Sequence, residues 1–258
     1  SGESTSFLYD PLYMYKTTIA GQLFVSMWSE RLVEAVESLT FIQINTDGIT
    51  ISINKEDLEK IREVNNQLTK ETTLEIEETF YSKMVIKDVN NYLAIYDDST
   101  EEAEHIKYKG LTFLVDPEYH QDPSMRIVKL ALKNYFVYNV PVEETIRNHD
   151  DIFDFCLRLK INSASKGRLT YYDDTTKNFL EIPLQRTTRY YISTTGGGLS
   201  VNYNGSSKVN RINVGYNCTL FNKYYESDNY NIDYNFYIRK AKEIIVGTEK
   251  KQLEIIWE

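Results

Sequence analysis

The chain has 258 residues, is 41% hydrophobic, and carries a formal net charge of -9 at pH 7. That length holds one large domain or two modest ones with real cores, and no apolar run reaches membrane-spanning length before a charge breaks it. The two cysteines, Cys156 and Cys218, are far apart and lack metal-ligand spacing, which argues against a structural zinc and points to a reducing compartment. No basic segment followed by an apolar core opens the chain, so it reads as soluble and cytoplasmic.

Charge is spread unevenly. Residues 1–125 carry 10 basic and 23 acidic side chains, residues 126–189 carry 11 and 8, and residues 190–258 carry 8 and 7. An acidic first half and a mildly basic remainder fit metal-binding carboxylates on one side and a phosphate-gripping module on the other. They fit equally well a chain whose acids solvate its outer faces.

In chain order, residues 17–38 place Ile19, Leu23 and Met27, then Trp28, Leu32 and Val36, at i, i+4 steps, which predicts a helix buried along that face. Phe41 to Ile44 and Ile49 to Ile53 flank Asn45-Thr46-Asp47-Gly48, a hairpin pattern with Ile49, Ile51 and Ile53 alternating. Asn54 is placed to cap a second helix lined by Leu58, Ile61, Val64 and Leu68. A further strand pair is expected over Leu74 to Lys87 and Tyr92 to Tyr96. This order is that of a ferredoxin-like unit starting one strand late.

The acidic and Pro-containing stretch 97–124 is the expected boundary, dividing the chain into 1–118 and 119–258. Beyond it, Asp122-Pro123 is expected to open a helix with Ile127, Leu130, Ala131 and Tyr135 on one side, and Pro141 another with Glu143 and Glu144 in its first turn. From about 168 Tyr- and Thr-rich strands continue the chain, with Gly196-Gly197-Gly198 expected as a hairpin loop, and residues 231–246 close with a helix. The fold class is therefore α+β: a partial ferredoxin-like layer, then a mixed module.

Two-metal phosphoryl transfer needs carboxylates held at a turn, and Asp47 sits at the tip of one. An Asp-Gly turn between apolar runs is by itself also the ordinary hairpin signature. Its surroundings add more. Thr18-Ile19-Ala20-Gly21-Gln22 followed by the Asn45-Thr46-Asp47-Gly48 hairpin resembles, in order and spacing, the Thr-x-x-Gly-Gln helix and Asp-Thr-Asp turn of family B DNA polymerases. Asn90-Asn91-Tyr92 resembles that family's Lys-x-Tyr element, and Asp233-Tyr234-Asn235-Phe236-Tyr237-Ile238 is similar to the stretch closing many of its thumbs. The likeness is greatest to divergent phage and viral members, whose turn often reads Asn-Thr-Asp-Gly.

That resemblance implies the C-terminal half of a palm plus a thumb from a DNA-directed DNA polymerase. It implies Asp47 as catalytic Mg²⁺ ligand, with Asn45, Thr46 and Gly48 shaping the turn, and primer-template DNA and a deoxynucleoside triphosphate as partners. Asn90, Tyr92, Arg186, Arg189 and Tyr190 are the implied DNA contacts. Asn45 stands where the family has its less direct carboxylate. Asn90 replaces a Lys, so a charge-assisted contact becomes a neutral one. The palm strand carrying the family's other catalytic Asp has no counterpart here, so an upstream polymerase segment with that second carboxylate is the expected partner and the chain alone is expected to be inactive. Non-catalytic DNA-binding or assembly subunits and a plain α+β interaction module remain alternatives. His105, His120 and His149 are scattered and support no hydrolase, and Asp150, Asp151 and Asp154 read as a solvated helix boundary.

Overall fold

The structure, a computed structural model, describes residues 10–98, 105–118, 121–160, 167–174, 176–182, 187–203 and 209–256. It is α+β, in two compact units that divide between Tyr81 and Ser82.

The first unit opens with α1 (Pro11–Ala35), which begins earlier than the periodicity predicts because Asp10 caps it. The Asp10 carboxylate accepts the Tyr13 amide at 2.9 Å, and Pro11 occupies the first turn, where a missing N–H costs nothing. Only the second half of α1 has the expected buried face. Leu32 and Val36 are fully buried, whereas Ile19 and Leu23 are exposed.

The hairpin of β1 (Thr40–Ile44) and β2 (Ile49–Ser52) packs Ile49 and Ile51 on this helix and on α2 (Leu58–Thr72), closing a small core around Leu32, Val36 and Ile61. Asn54 precedes a single 3-10 turn, and its side chain makes no capping bond. Polar bridges complete the unit. The Trp28 indole N–H donates to Asn65 Oδ1 at 2.9 Å, Asn65 Nδ2 donates to Glu78, and Arg31 pairs with Glu71 at 2.7 Å.

The second unit starts with β3 (Tyr81–Asp88), β4 (Asn91–Tyr96) and β5 (Ile106–Lys109), one three-stranded sheet in that order. The expected strand pair is thus present as β3 and β4, although residues 74–80 form no strand. Val85, Leu93 and Phe113 belong to the same core as the helices and strands after residue 125, so the compact units divide at 81/82, ahead of the expected 118/119.

Helices α3 (Arg126–Tyr138), α4 (Val142–Arg147), α5 (Ile152–Phe155) and α6 (Tyr234–Ile256) surround that core. Pro123 does not open α3; Asp122 instead accepts the Ser124 amide and hydroxyl, and Met125 turns through a left-handed conformation before the helix begins. Pro141 does cap α4, with Glu143 and Glu144 in the first turn.

An antiparallel sheet of β6 (Leu157–Lys160), β7 (Gly167–Asp173), β8 (Asn178–Ile182), β9 (Thr187–Ser193), β10 (Gly197–Tyr203), β11 (Val209–Ile212) and β12 (Asn217–Leu220) completes the unit. Its order is β6-β9-β12-β10-β7-β8, with β11 also on β10. The glycine triplet is therefore not a hairpin loop, because β12 lies between β9 and β10. Gly196 has φ +100°, and a Cβ there would lie 2.4 Å from the Cys218 carbonyl; one on Gly197 would lie 1.7 Å from that of Tyr172. The glycines let the chain pass between two strands.

Candidate metal and nucleic-acid site

Asp47 is exposed at the β1–β2 turn, as expected. Ile44 pairs with Ile49, and the Asn45 amide donates to the Gly48 carbonyl at 2.8 Å, so Thr46 and Asp47 project from the tip. Gly48 has open space around its Cα and no positive φ, so neither the turn nor its packing demands glycine there. Gly21 of α1 lies against this turn: a Cβ added to it would sit 3.8 Å from the Thr46 carbonyl oxygen. The helix element and the turn element, 25 positions apart in the sequence, are thus neighbours in the folded unit.

A magnesium ion takes about six oxygen ligands, normally including one or two carboxylates. Among the described residues there is no group of three or more His, Cys, Asp or Glu side chains that could hold a metal. Asp47 is a single carboxylate, so the described residues by themselves do not complete a Mg²⁺ site.

The other expected contact residues all belong to the second unit. Asn90 is exposed in the β3–β4 turn, where its amide donates to Asp88 Oδ1 at 2.9 Å. Asn91 fastens that turn to the segment after β5, accepting the Thr112 hydroxyl at 2.9 Å on its Oδ1. Tyr92 is buried at 5% exposure, and its ring fills core rather than facing a ligand. Tyr190 is likewise buried; its hydroxyl accepts from Asn213 Nδ2 at 2.8 Å, and burial pushes its pKa up to about 12. Both depart from the expected role as DNA-contacting rings, because each sits in a run of consecutive buried strand residues, Tyr92-Leu93-Ala94 and Tyr190-Tyr191-Ile192, where both faces of the strand are covered. Arg186 lies outside the described residues.

Arg189 remains at the surface, partly buried, with its guanidinium carbon 5.4 Å from the Phe153 ring centroid. The β6–β9 register places Arg158 directly opposite it, with Lys160 opposite Thr187. Arg158, Lys160 and Arg189 therefore share one face at the edge of the large sheet. Like charges directly opposite one another cost stability, and a row of them suits an anionic partner. Arg158 is not legible as a site residue from sequence, because cross-strand register is not written in local pattern.

The acidic trio is not simply a solvated boundary. Asp154 is buried and holds Arg126 at 2.9 Å and His149 at 2.7 Å through the same oxygen. Arg126 also pairs with Asp116 at 2.6 Å, and that hydrogen bond is the main reason its pKa is raised. This knot ties the start of α3 to α5. Asp150 and Asp151 do remain exposed. The Asp-Tyr-x-x-Tyr stretch at the head of α6 is also structural: the Tyr237 hydroxyl donates to the Phe155 carbonyl at 2.8 Å and accepts the Ile192 amide at 2.9 Å.

Among the described residues no helix is long and apolar enough to cross a membrane. No protein-family model matches the chain, and no curated protein matches it significantly.

Proposed function

We propose that the chain is the C-terminal segment of a DNA-directed DNA polymerase. In this reading Asp47 contributes one ligand to a Mg²⁺ site for nucleotidyl transfer, a partner polypeptide segment supplies the second carboxylate, and the second unit holds primer-template duplex. The observation that carries it is the apposition of Gly21 and the Thr46 carbonyl, with Asp47 exposed beside them. Two short motifs that match the polymerase series in order also meet in space, next to a carboxylate that faces solvent at the tip of its turn. When bound, the metal would neutralise charge on the triphosphate and the attacking oxygen. The chain's own part is to hold the Asp47 carboxylate at a tight, solvent-facing turn.

The DNA contacts are reassigned. Tyr92 and Tyr190 act as core residues, and the gripping surface is the Arg158, Lys160 and Arg189 face, with Asn90 as a neutral contact at its own turn. Phosphate contacts of this kind position a duplex without reading sequence. Primer extension tests the proposal. The isolated chain is expected to incorporate no nucleotide, and the chain joined to a segment bearing a family B first palm strand and fingers is expected to do so. Extension by the isolated chain would show that no outside carboxylate is needed.

A second reading, a non-catalytic DNA-binding subunit, is favoured by the basic face alone. Both readings expect duplex binding that weakens as salt rises, because the contacts are to phosphates, but this one leaves the reconstituted protein inactive.

A further inference from the structure

The large sheet buries one face in the core and leaves the other open over β7, β8, β10 and β11. Leu169, Tyr171, Leu199 and Val201 are buried, so the residues that alternate with them, Thr170, Tyr172 and Ser200, stand on the opposite side together with their register partners Phe179 and Arg211. We infer that this outer face binds single-stranded DNA, with bases stacked on the Tyr172 and Phe179 rings and a phosphate on the Arg211 guanidinium. The choice of DNA over RNA rests on the polymerase reading; the rest of the inference does not use it.

Two observations point to the ligand, one for each half of a nucleotide. The first is a pair of rings on a sheet face turned to water. Tyr172 and Phe179 lie directly opposite in the β7–β8 register, with centroids 4.8 Å apart and planes tilted by 49°, and Phe179 is 78% exposed. At that exposure the Tyr172 contact leaves most of the phenyl ring uncovered, a surface on which any base can stack.

The second is a guanidinium without a partner. Arg211 is exposed and, among the described residues, has no ion pair or hydrogen bond. It is nevertheless held in place. A Cβ added to Gly198 would lie 2.8 Å from its Nη2, 3.2 Å from its Nε and 3.4 Å from its Cζ, so the head group rests on the bare glycine backbone. Gly198 pairs with Tyr172, and Tyr172 with Phe179. Guanidinium, phenol and phenyl therefore form one row across adjacent strands about 5 Å apart, a separation that one nucleotide bridges between phosphate and base.

Charge on this side of the sheet also favours an anion. Alternation from Gly198 through Thr219 and Tyr191 to Arg189 puts Arg158, Lys160 and Arg189 on the same side. Glu181 shares the face but ends the neighbouring row, Arg211-Ser200-Thr170-Glu181, three strand spacings or about 14 Å from Arg211. A polypeptide partner would need an apolar patch for the core of its interface, whereas Ser200 and Thr170 flank the rings here. A duplex keeps the faces of its bases stacked on one another, out of reach of the rings.

The test is fluorescence anisotropy of the full chain with a labelled oligothymidylate of about 12 nucleotides, the matching oligouridylate, and a blunt duplex of the same length. The oligothymidylate should bind with a dissociation constant on the order of 10–100 µM at low salt. Phe179→Ala should weaken it at least about fivefold, Phe179→Tyr should restore it, and the duplex should be indifferent to both. Arg211→Gln should weaken it and lower the salt slope by about 0.7, the share of one single-strand phosphate. No binding at low salt, or unchanged affinity in either Phe179→Ala or Arg211→Gln, would overturn the proposal; equal binding of the oligouridylate would overturn DNA as the source. The assay contains no Mg²⁺ or triphosphate, so a chain that binds the oligothymidylate through Phe179 yet never supports incorporation refutes the polymerase reading and leaves the platform standing.

Discussion

The two units treat their motif residues in opposite ways. The unit 10–81 closes around Leu32, Val36 and Ile61 and finishes its surface with polar bridges such as Trp28–Asn65 and Arg31–Glu71. The unit 82–256 buries an extended core in which tyrosines are as deep as leucines, with Tyr191 and Tyr237 almost wholly inaccessible. A thin core leaves Asp47 free at a turn, whereas a thick one absorbs the aromatics that look like ligand contacts on paper. Polar motif residues thus kept their place in the first unit. Aromatic ones in the second became structure.

The largest effect on folding is expected in the thin core. Leu32→Ala should cost about 2–5 kcal/mol, a large share of what a unit of this size has to lose. Hydrogen exchange should show amides of α1, β1 and β2 losing protection while those of α3 and β9 keep theirs. Equal loss in both units would contradict the division at 81/82.

In the second unit, Tyr237→Phe leaves the Phe155 carbonyl and the Ile192 amide without their shared buried partner. The expected cost is about 1–3 kcal/mol in denaturant unfolding, with no change in far-ultraviolet circular dichroism. An unaffected midpoint would mean that the Tyr237 hydroxyl is not a structural staple.

Alkaline pH should also separate the units. Burial pushes the thiols of Cys156 and Cys218 up to about 12 and about 11, from an ordinary value near 9, and the Tyr190 phenol up to about 12 from about 10. These folded-state values are raised, so their stabilising effect is complete below the unfolded pKa and is lost as pH rises through the folded one. The second unit should therefore weaken from about pH 9 upward, thiols first and phenols after. The first unit contains no cysteine, so only the second should respond to this first phase. Unfolding midpoints flat from pH 8 to 11 would contradict the burial of these groups.

The smallest effect is expected where α1 meets the turn. Gly21→Ala places a methyl in ordinary contact with the Thr46 carbonyl and removes a helix-interior glycine, so stability should stay level or rise by up to about 1 kcal/mol. Gly21→Leu should be clearly destabilising, because the longer chain reaches the turn. Tolerance of leucine would mean that the helix and the turn are not held together.

What was legible in the sequence was local. Period-two and i, i+4 patterns marked the β1–β2 hairpin and α2, and Asp-Gly marked the turn that exposes Asp47. The start of α1 was legible too, in Asp10-Pro11, but the apolar steps from Ile19 pointed elsewhere. The rest is set by partners distant in sequence. The pairing of β3 with β4 was legible as well, but nothing near it says that β5 will add a third strand, and nothing near Gly196 says that β12 will come between β9 and β10. The inward turn of Tyr190 and the meeting of Arg158 with Arg189 come from the same long-range register.

The most direct measurement of the central claim is the single-turnover rate of nucleotide incorporation by the chain joined to a segment carrying the second carboxylate, compared with its Asp47→Asn variant. If Asp47 is a metal ligand, the variant should be slower by at least about 100-fold, since the metals supply much of the charge stabilisation in phosphoryl transfer. Asn45→Ala should change the rate much less, because an amide already occupies that position. Equal rates for the parent and Asp47→Asn would contradict the account.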